Sequence, residues 1–327
     1  MNQESKPVLC AGEIVYDFIS RDRMQGLGGT TLFEKRPGGA PFNIAAGLQK
    51  LGVPTAFLSK IGCDEFGESL IEYLDELGIR TDYIVRESGT KTTLAFAALD
   101  SEGKPEFRFY RDHAADISLR KDELKDLSPE SFSFFHFGSI ALLDEPSAST
   151  YIDLFERFKK AGVRTSFDPN VRKNAVVDHN IFRRKLREIM RRVDILKLSD
   201  EDLEYIAGKG GVEKAVESLG VGRDELVLVT LGSKGAVAFW QGRFISEEGF
   251  KVEVAETTGC GDSFMAAVIS RLFSLTDEQF KALDFETLGG VLRFANAGAA
   301  IVATRYGAAN AMPSGNEIGE FLQSHRR

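Results

Sequence analysis

A carboxylate set directly behind two glycines is the first feature of this sequence able to do chemistry. The stretch E-T-T-G-C-G-D-S-F, residues 256–264, places Gly259 and Gly261 just before Asp262. Behind it Phe264, Val268 and Leu272 recur at helical spacing, with Met265 and Ile269 beside them. A glycine-rich turn that feeds a helix leaves backbone N–H groups unpaired and pointing outward. With the helix dipole behind them, those donors make an anion site. Asp262 stands at or next to the N-cap, either as a capping residue alone or as a functional acid.

Other candidates are spread along the chain. Asp17, in I-V-Y-D-F-I, is an acid flanked by apolar residues: a solvated edge residue, or one aimed into a cleft. In R-P-G-G-A-P-F-N, Gly38 and Gly39 let the backbone approach a ligand closely. Asn43 then caps a helix or offers its amide to a polar ligand. Arg111 ends E-F-R-F-Y-R, where it is solvated or turns its fork on anions and sugar hydroxyls. D-P-N-V-R puts Asp168, Asn170 and Arg172 just past a strand's C-terminal end. Open α/β sheets bind ligands there, although a plain turn would read the same way. Ser199 and Asp202 form a capping-box-like pair within an acidic cluster (Asp200, Glu201, Asp202) that could attract hydrated magnesium. Capping is the simpler reading.

These residues need elements to position them. Residues 8–13 read as a buried strand, and Ile44, Leu48 and Leu51 mark a helix stopped by Gly52 and Pro54. A strand at 55–60 and a helix at 64–77 follow, an alternation that implies a parallel sheet. Residues 90–111 break it with a β-hairpin, Phe107 and Phe109 on one face, Arg108 and Tyr110 on the other. Strands at 134–138, 163–168, 194–198 and 225–230 and helices at 147–161, 180–192 and about 287–303 resume the pattern, and a terminal helix carries Ile318 and Leu322. The expected architecture is α/β: one domain over residues 1–327, a doubly wound, mostly parallel sheet flanked by helices, with a small β appendage.

Composition narrows the function classes. A net charge of −8 disfavours nucleic acid as a partner. The basic helix at 180–192 lacks interleaved aromatics and reads as a solvated face. No apolar run nears the ~20 residues of a membrane span, and the N-terminus lacks a signal pattern. Cys10, Cys63 and Cys260 are scattered, as are the four histidines, so neither a disulfide framework nor a zinc site follows. A reduced, cytoplasmic setting is expected.

Neither G-x-x-x-x-G-K-[ST] nor G-x-G-x-x-G occurs, so phosphate must be held another way, and residues 259–262 supply one. Over nearly its whole length the sequence resembles the ribokinase-like (phosphofructokinase-B type) sugar kinases. The resemblance is carried by G-G-A-P-F-N-I-A-A-G-L-Q-K-L-G (38–52) and E-T-T-G-C-G-D-S-F (256–264). Within the family, G-G-A-P-F-N, F-Y-R followed by A-D-I-S-L, and D-P-N-V-R are most similar to fructokinases.

The resemblance implies a set of roles. Asp262 would be the catalytic base that deprotonates a sugar hydroxyl for attack on the γ-phosphorus of ATP. The amides of Gly259, Cys260, Gly261 and Asp262 would form an anion hole. Asp17, Gly38, Gly39, Asn43, Arg111, Asp168 and Arg172 would meet the sugar, and Thr230, Gly232, Gly235 and Asn296 the nucleotide. A lid built from about 14–36 and 91–111 would exclude water. ATP and Mg2+ are the implied cofactors, with Asp202 at a magnesium-associated motif that reads Ser199-x-x-Asp202 here. Glu256, with the carbonyls of Val302, Arg305 and Gly307, would form a monovalent-cation (K+) loop. Glu256 stands where the family usually has Asp, and Cys260 where it usually has Ala. The implied reaction is phosphorylation of fructose to fructose 6-phosphate. An acid sugar, 2-keto-3-deoxygluconate, is the second expectation, with Arg111 and Arg172 as carboxylate partners. Family members often dimerise through the lid, so a homodimer is also expected.

Overall fold

The structure, a computed structural model, describes residues 6–22, 24–99, 101–102 and 105–325. The chain opens with β1 (Val8–Ala11) and β2 (Val15–Ser20), a helical turn α1 (Gly26–Gly29) and β3 (Phe33–Gly38). Next come α2 (Ala40–Lys50), β4 (Thr55–Gly62), α3 (Glu65–Glu76) and β5 (Arg80–Glu87), then the hairpin β6 (Leu94–Leu99) and β7 (Pro105–Tyr110). The middle of the chain is β8 (Phe134–Gly138), α4 (Ser147–Lys160), β9 (Arg164–Asp168), α5 (His179–Met190), β10 (Ile195–Ser199), α6 (Asp200–Ala207), α7 (Val212–Ser218) and β11 (Leu226–Thr230). It ends with β12 (Ala236–Trp240), β13 (Arg243–Glu247), α8 (Cys260–Leu272), α9 (Asp277–Lys281), α10 (Phe285–Ala303) and α11 (Gly315–Ser324).

Nine strands form one sheet in the order β13-β12-β11-β10-β9-β8-β1-β4-β5. It is parallel from β11 to β5, with β12 and β13 added antiparallel. The winding reverses beside β1, which pairs β4 on one side and β8 on the other. A crevice at such a reversal is where open α/β sheets take ligands. Strand side chains alternate between two cores. Val8 and Cys10 pack on the face covered by α2, α8 and α10, while Leu9 and Ala11 pack on the face covered by α4 and α5.

The hairpin does not hang off the main sheet. It joins β2 and β3 in a second sheet of order β3-β2-β6-β7, with β2 and β6 parallel and the other pairs antiparallel. Stacked Phe18 and Phe96, with Tyr110 edge-on to Phe96, fill one region of it. Of the expected turn D-S-E-G-K-P, residues 100, 103 and 104 lie outside the described residues. Two strands escape the sequence pattern, β5 and β13. Both lie at sheet edges and are partly exposed, so neither carries a clean apolar run. The glycine-rich stretch before β3 holds one helical turn, α1.

Candidate active site

Asp262 is the third residue of α8, not its cap; the cap is Gly259, in a left-handed conformation with φ 83°. A Cβ on Gly259 would also come within 2.9 Å of Ala308, so conformation and space both demand glycine. Asp262 is buried and accepts a hydrogen bond from Asn43 Nδ2 at 2.8 Å. That pairing has a simple origin. α2 and α8 press together where Gly47 meets Ala266, a contact that a Cβ on Gly47 would tighten to 2.8 Å. Asn43 and Asp262 each lie one turn upstream of that contact, so they share its face. Asn43 therefore does not cap α2, whose N-cap is Gly39. The Asn43 Oδ1 atom is buried and without a partner.

Asp17 reaches the same crevice from β2. Its carboxylate lies against Gly38, where a Cβ would sit 1.9 Å from Asp17 Oδ2. Gly39, with φ 109°, lets the chain pass over the Glu13 carbonyl, 2.5 Å from where a Cβ would be. Burial pushes Asp17 up to about 6, with Asp262 and Glu256 adding to the effect and Arg172 and Arg36 opposing it. Burial likewise raises Asp262 to about 6. The Asn43 amide, Lys197 and Arg172 pull it down, and Asp168 pushes it further up. Arg172 thus lies in the field of both acids, its Nη1 donating to Asn170 Oδ1 at 2.8 Å.

Beneath the glycine turn is a residue that sequence reasoning missed. Lys197 Nζ would be 2.9 Å from a Cβ on Gly261, so an ammonium sits directly under the expected anion hole. Lys197 is buried and pairs with buried Asp168 at 2.8 Å. Burial disfavours its charge, but Asp168, Asp202 and Asp262 outweigh burial and hold it protonated. The available signal was a lone lysine inside the apolar strand I-L-K-L-S. Glu13 was also missed. It is buried, accepts from the Ala40 amide at 3.3 Å, leaves Oε2 without a partner, and is raised to about 7 mainly by burial.

A family model for the pfkB family carbohydrate kinases matches residues 5–315. The chain belongs to this family. Among curated relatives of the kinase, probable fructokinase-2 of Arabidopsis thaliana is 38% identical over 317 residues, which span 97% of this chain and 95% of that one. Among solved structures, fructokinase from Xylella fastidiosa with bound ATP has a TM-score of 0.90 at 31% identity, covering 99% of this chain and 100% of that one. A double mutant of Vibrio cholerae O395 fructokinase, in a fructose, ADP and potassium ion bound form, has a TM-score of 0.84 at 26% identity, covering 98% and 100%. The expected ribokinase-like fold is the one observed, and the protein is a phosphotransferase with an alcohol acceptor.

Other expected site residues fall into three groups. Two of the nucleotide candidates, Gly235 and Asn296, converge on one segment, 247–249. A Cβ on Gly235 would lie 2.1 Å from the Glu247 carbonyl, and Asn296 Nδ2 donates to the carbonyls of Glu247 at 3.0 Å and Glu248 at 3.3 Å. Thr230 ends β11 beside Gly232, which has φ 58°. Arg111 is engaged elsewhere. It is tied to Asp116 at 2.8 Å, to Asp144 at 2.7 Å and to the Ile140 carbonyl at 3.2 Å. Asp202 closes its capping box by accepting from Ser199 N and Oγ on one oxygen, and takes the Val171 amide at 2.8 Å on the other. Both oxygens are occupied, the reason Asp202 serves here as a cap and brace. Among the described residues no group of three or more His, Cys, Asp or Glu could hold a metal ion.

The expected cation loop holds different contacts. Glu256 Oε2 accepts from Arg36 Nη1 at 2.9 Å and from the Gly307 amide at 3.0 Å. The Val302 carbonyl accepts from Arg305 N at 2.9 Å, and the Arg305 side chain turns to Glu317. Burial works against the Glu256 charge, but the Gly307 amide and Arg36 overcome it and hold the carboxyl below its usual range. Cys260 is half-buried, and burial, with Asp262 and Glu256, raises its thiol to about 11, so it stays protonated and weakly nucleophilic.

Proposed function

We propose that the protein is an ATP-dependent fructokinase that phosphorylates the primary hydroxyl of fructose to give fructose 6-phosphate. The observation that carries this reading is the buried Asp262 carboxylate, held by Asn43 at the mouth of the glycine turn and raised to about 6. A base near that value is charged at neutral pH yet proton-hungry enough to take a hydroxyl proton in the transition state. Asp17, Asn43 and Arg172, with the backbone at Gly38 and Gly39, orient the sugar. The amides of 259–262 receive charge developing on the transferred phosphoryl group, with the helix dipole behind them. Lys197, one layer below, adds fixed positive charge to that hole. Thr230, Gly232, Gly235 and Asn296 shape the nucleotide side.

The small sheet acts as a lid in a single-domain enzyme, carrying Asp17 onto the sugar and excluding water from the phosphoryl group. Magnesium would shield the nucleotide phosphates; among the described residues no group of three or more acids forms a dedicated site for it. Exposed Leu32, Leu99, Phe107 and Tyr110 on or beside the lid strands support a homodimer through that sheet. Three unpaired cysteines accord with a cytoplasmic setting. ADP release measured across a sugar panel tests the reading. A clear preference for fructose supports it, and a preference for 2-keto-3-deoxygluconate overturns the choice of substrate. Arg111, one of the two partners expected for an acid sugar, is ion-paired with Asp116 and Asp144 within the protein, which favours fructose.

A further inference from the structure

Arg36 lies on lid strand β3, directly opposite Asp17 in the β2–β3 register. Its side chain is only 11% exposed, and its guanidinium is shared by two carboxylates. Nε and Nη2 donate to Glu34 at 2.8 and 3.2 Å, and Nη1 donates to Glu256 at 2.9 Å. Arg21 pairs with the Glu34 Oε2 that also accepts from Arg36 Nη2. The chain Arg21–Glu34–Arg36–Glu256 is therefore balanced, two positive charges against two negative, with no inorganic ion. The guanidinium also covers Gly307, where a Cβ would be 3.9 Å from Arg36 Nη1.

The same contacts clamp the catalytic turn. The Gly307 amide donates to Glu256, the amides of Ala255 and Glu256 donate to the Ala303 carbonyl, and Gly259 rests on Ala308. Residues 255–259 and 303–308 are thus pressed into one unit, and Arg36 supplies its cation from the lid. A potassium ion placed on Glu256 and the carbonyls around Gly307 would sit against that guanidinium and be repelled. The residues present do not fit the expected monovalent-cation site.

We propose that Arg36 replaces the monovalent cation: the guanidinium neutralises Glu256, fixes the 256–262 turn and makes turnover independent of potassium. Arg36 is then a positioning residue that ties the strand opposite Asp17 to the anion hole. The proposal rests on the kinase reading of that turn.

The test compares wild type, Arg36→Met and Arg36→Lys in KCl, NaCl and choline chloride at equal ionic strength, by ADP release and by thermal melting. Wild-type rates should agree within about twofold across the salts, and its melting temperature should be the same in KCl and choline chloride. Arg36→Met should lose about tenfold or more in kcat in choline chloride, recover several-fold in KCl, and melt higher in KCl. Arg36→Lys should stay closer to the salt-independent wild type. Several-fold potassium activation of wild type overturns the proposal. So does an Arg36→Met enzyme that keeps wild-type turnover in choline chloride, or one that potassium does not rescue. Should Arg36→Met not fold, the wild-type salt comparison and Arg36→Lys decide. A wild type that releases no ADP with fructose in any salt refutes the substrate instead, and its melting in KCl against choline chloride still tests Arg36.

Discussion

Two acid clusters flank the small sheet, and they are built on opposite principles. In the first, Asp116 accepts from Thr93 Oγ1 at 2.6 Å and from Arg111 at 2.8 Å, and Arg111 goes on to Asp144. Each buried charge there meets an opposite charge in direct contact. In the second, Asp17 and Asp262 face one another's field with an amide, Asn43, and an arginine, Arg172, that is not in direct contact with either by hydrogen bond or ion pair among the described interactions. Burial, which these neighbours offset only in part, pushes both acids up to about 6. The first cluster ties the end of the hairpin to the segment that follows it and to Asp144. The second keeps its charges incompletely answered, which stores reactivity where a sugar hydroxyl would complete the hydrogen bonding.

The sharpest way to break this comparison is Asp262→Asn. Turnover should fall by about 100- to 10,000-fold, measured as ADP release. The same variant should melt above wild type at neutral pH. The raised carboxyl favours folding fully below its unfolded value and loses that contribution as pH rises through about 6, so a neutral amide removes a penalty of roughly 3 kcal/mol. A variant that is less stable and still active would erase the distinction between the clusters.

Asp116→Asn probes the other side. It leaves the Arg111 charge buried and underpaired, at about 3–5 kcal/mol of stability by urea unfolding. The kcat/KM of the folded fraction should barely move; a collapse of activity without loss of stability would put Arg111 back at the sugar. Asn43→Ala comes next. It should lower kcat/KM by roughly tenfold. It also removes the donor that pulls Asp262 down, so the acidic limb of the pH–rate profile, near 6 in wild type, should move up. An unshifted limb would mean that another group titrates there. The smallest effect is expected from Cys260→Ala, within about twofold of wild-type turnover, because the position contributes its amide rather than its thiol. A large loss would give the side chain a role.

Much of this site was legible along the chain. Gly38, Gly39, Gly259 and Gly261 announce close backbone approaches, and each is a position where a Cβ would meet another group within 3 Å. Asp262 behind its glycines reads as functional once no other phosphate-holding motif is found. Arg111 and Asp202 also meet distant partners, Asp144 and the Val171 amide, 33 and 31 residues away, and sequence spacing does not reveal such contacts. Lys197 stayed hidden because a lysine in a strand is ordinarily solvated, and only burial beneath Gly261 gives it a task.

The sequence by itself determined the alternation of strands and helices, the glycine turns and the identity of the acid behind them. These depend on local periodicity and backbone conformation, which a few neighbouring residues dictate. Only the tertiary structure decided which charges answer one another. Arg36 and Glu256 are 220 residues apart, and Asn43 and Asp262 are 219 apart. Electrostatics acts through space and not along the chain, so the state of Asp262, and the guanidinium beside Glu256, appear only once β3, α2 and α8 are brought together.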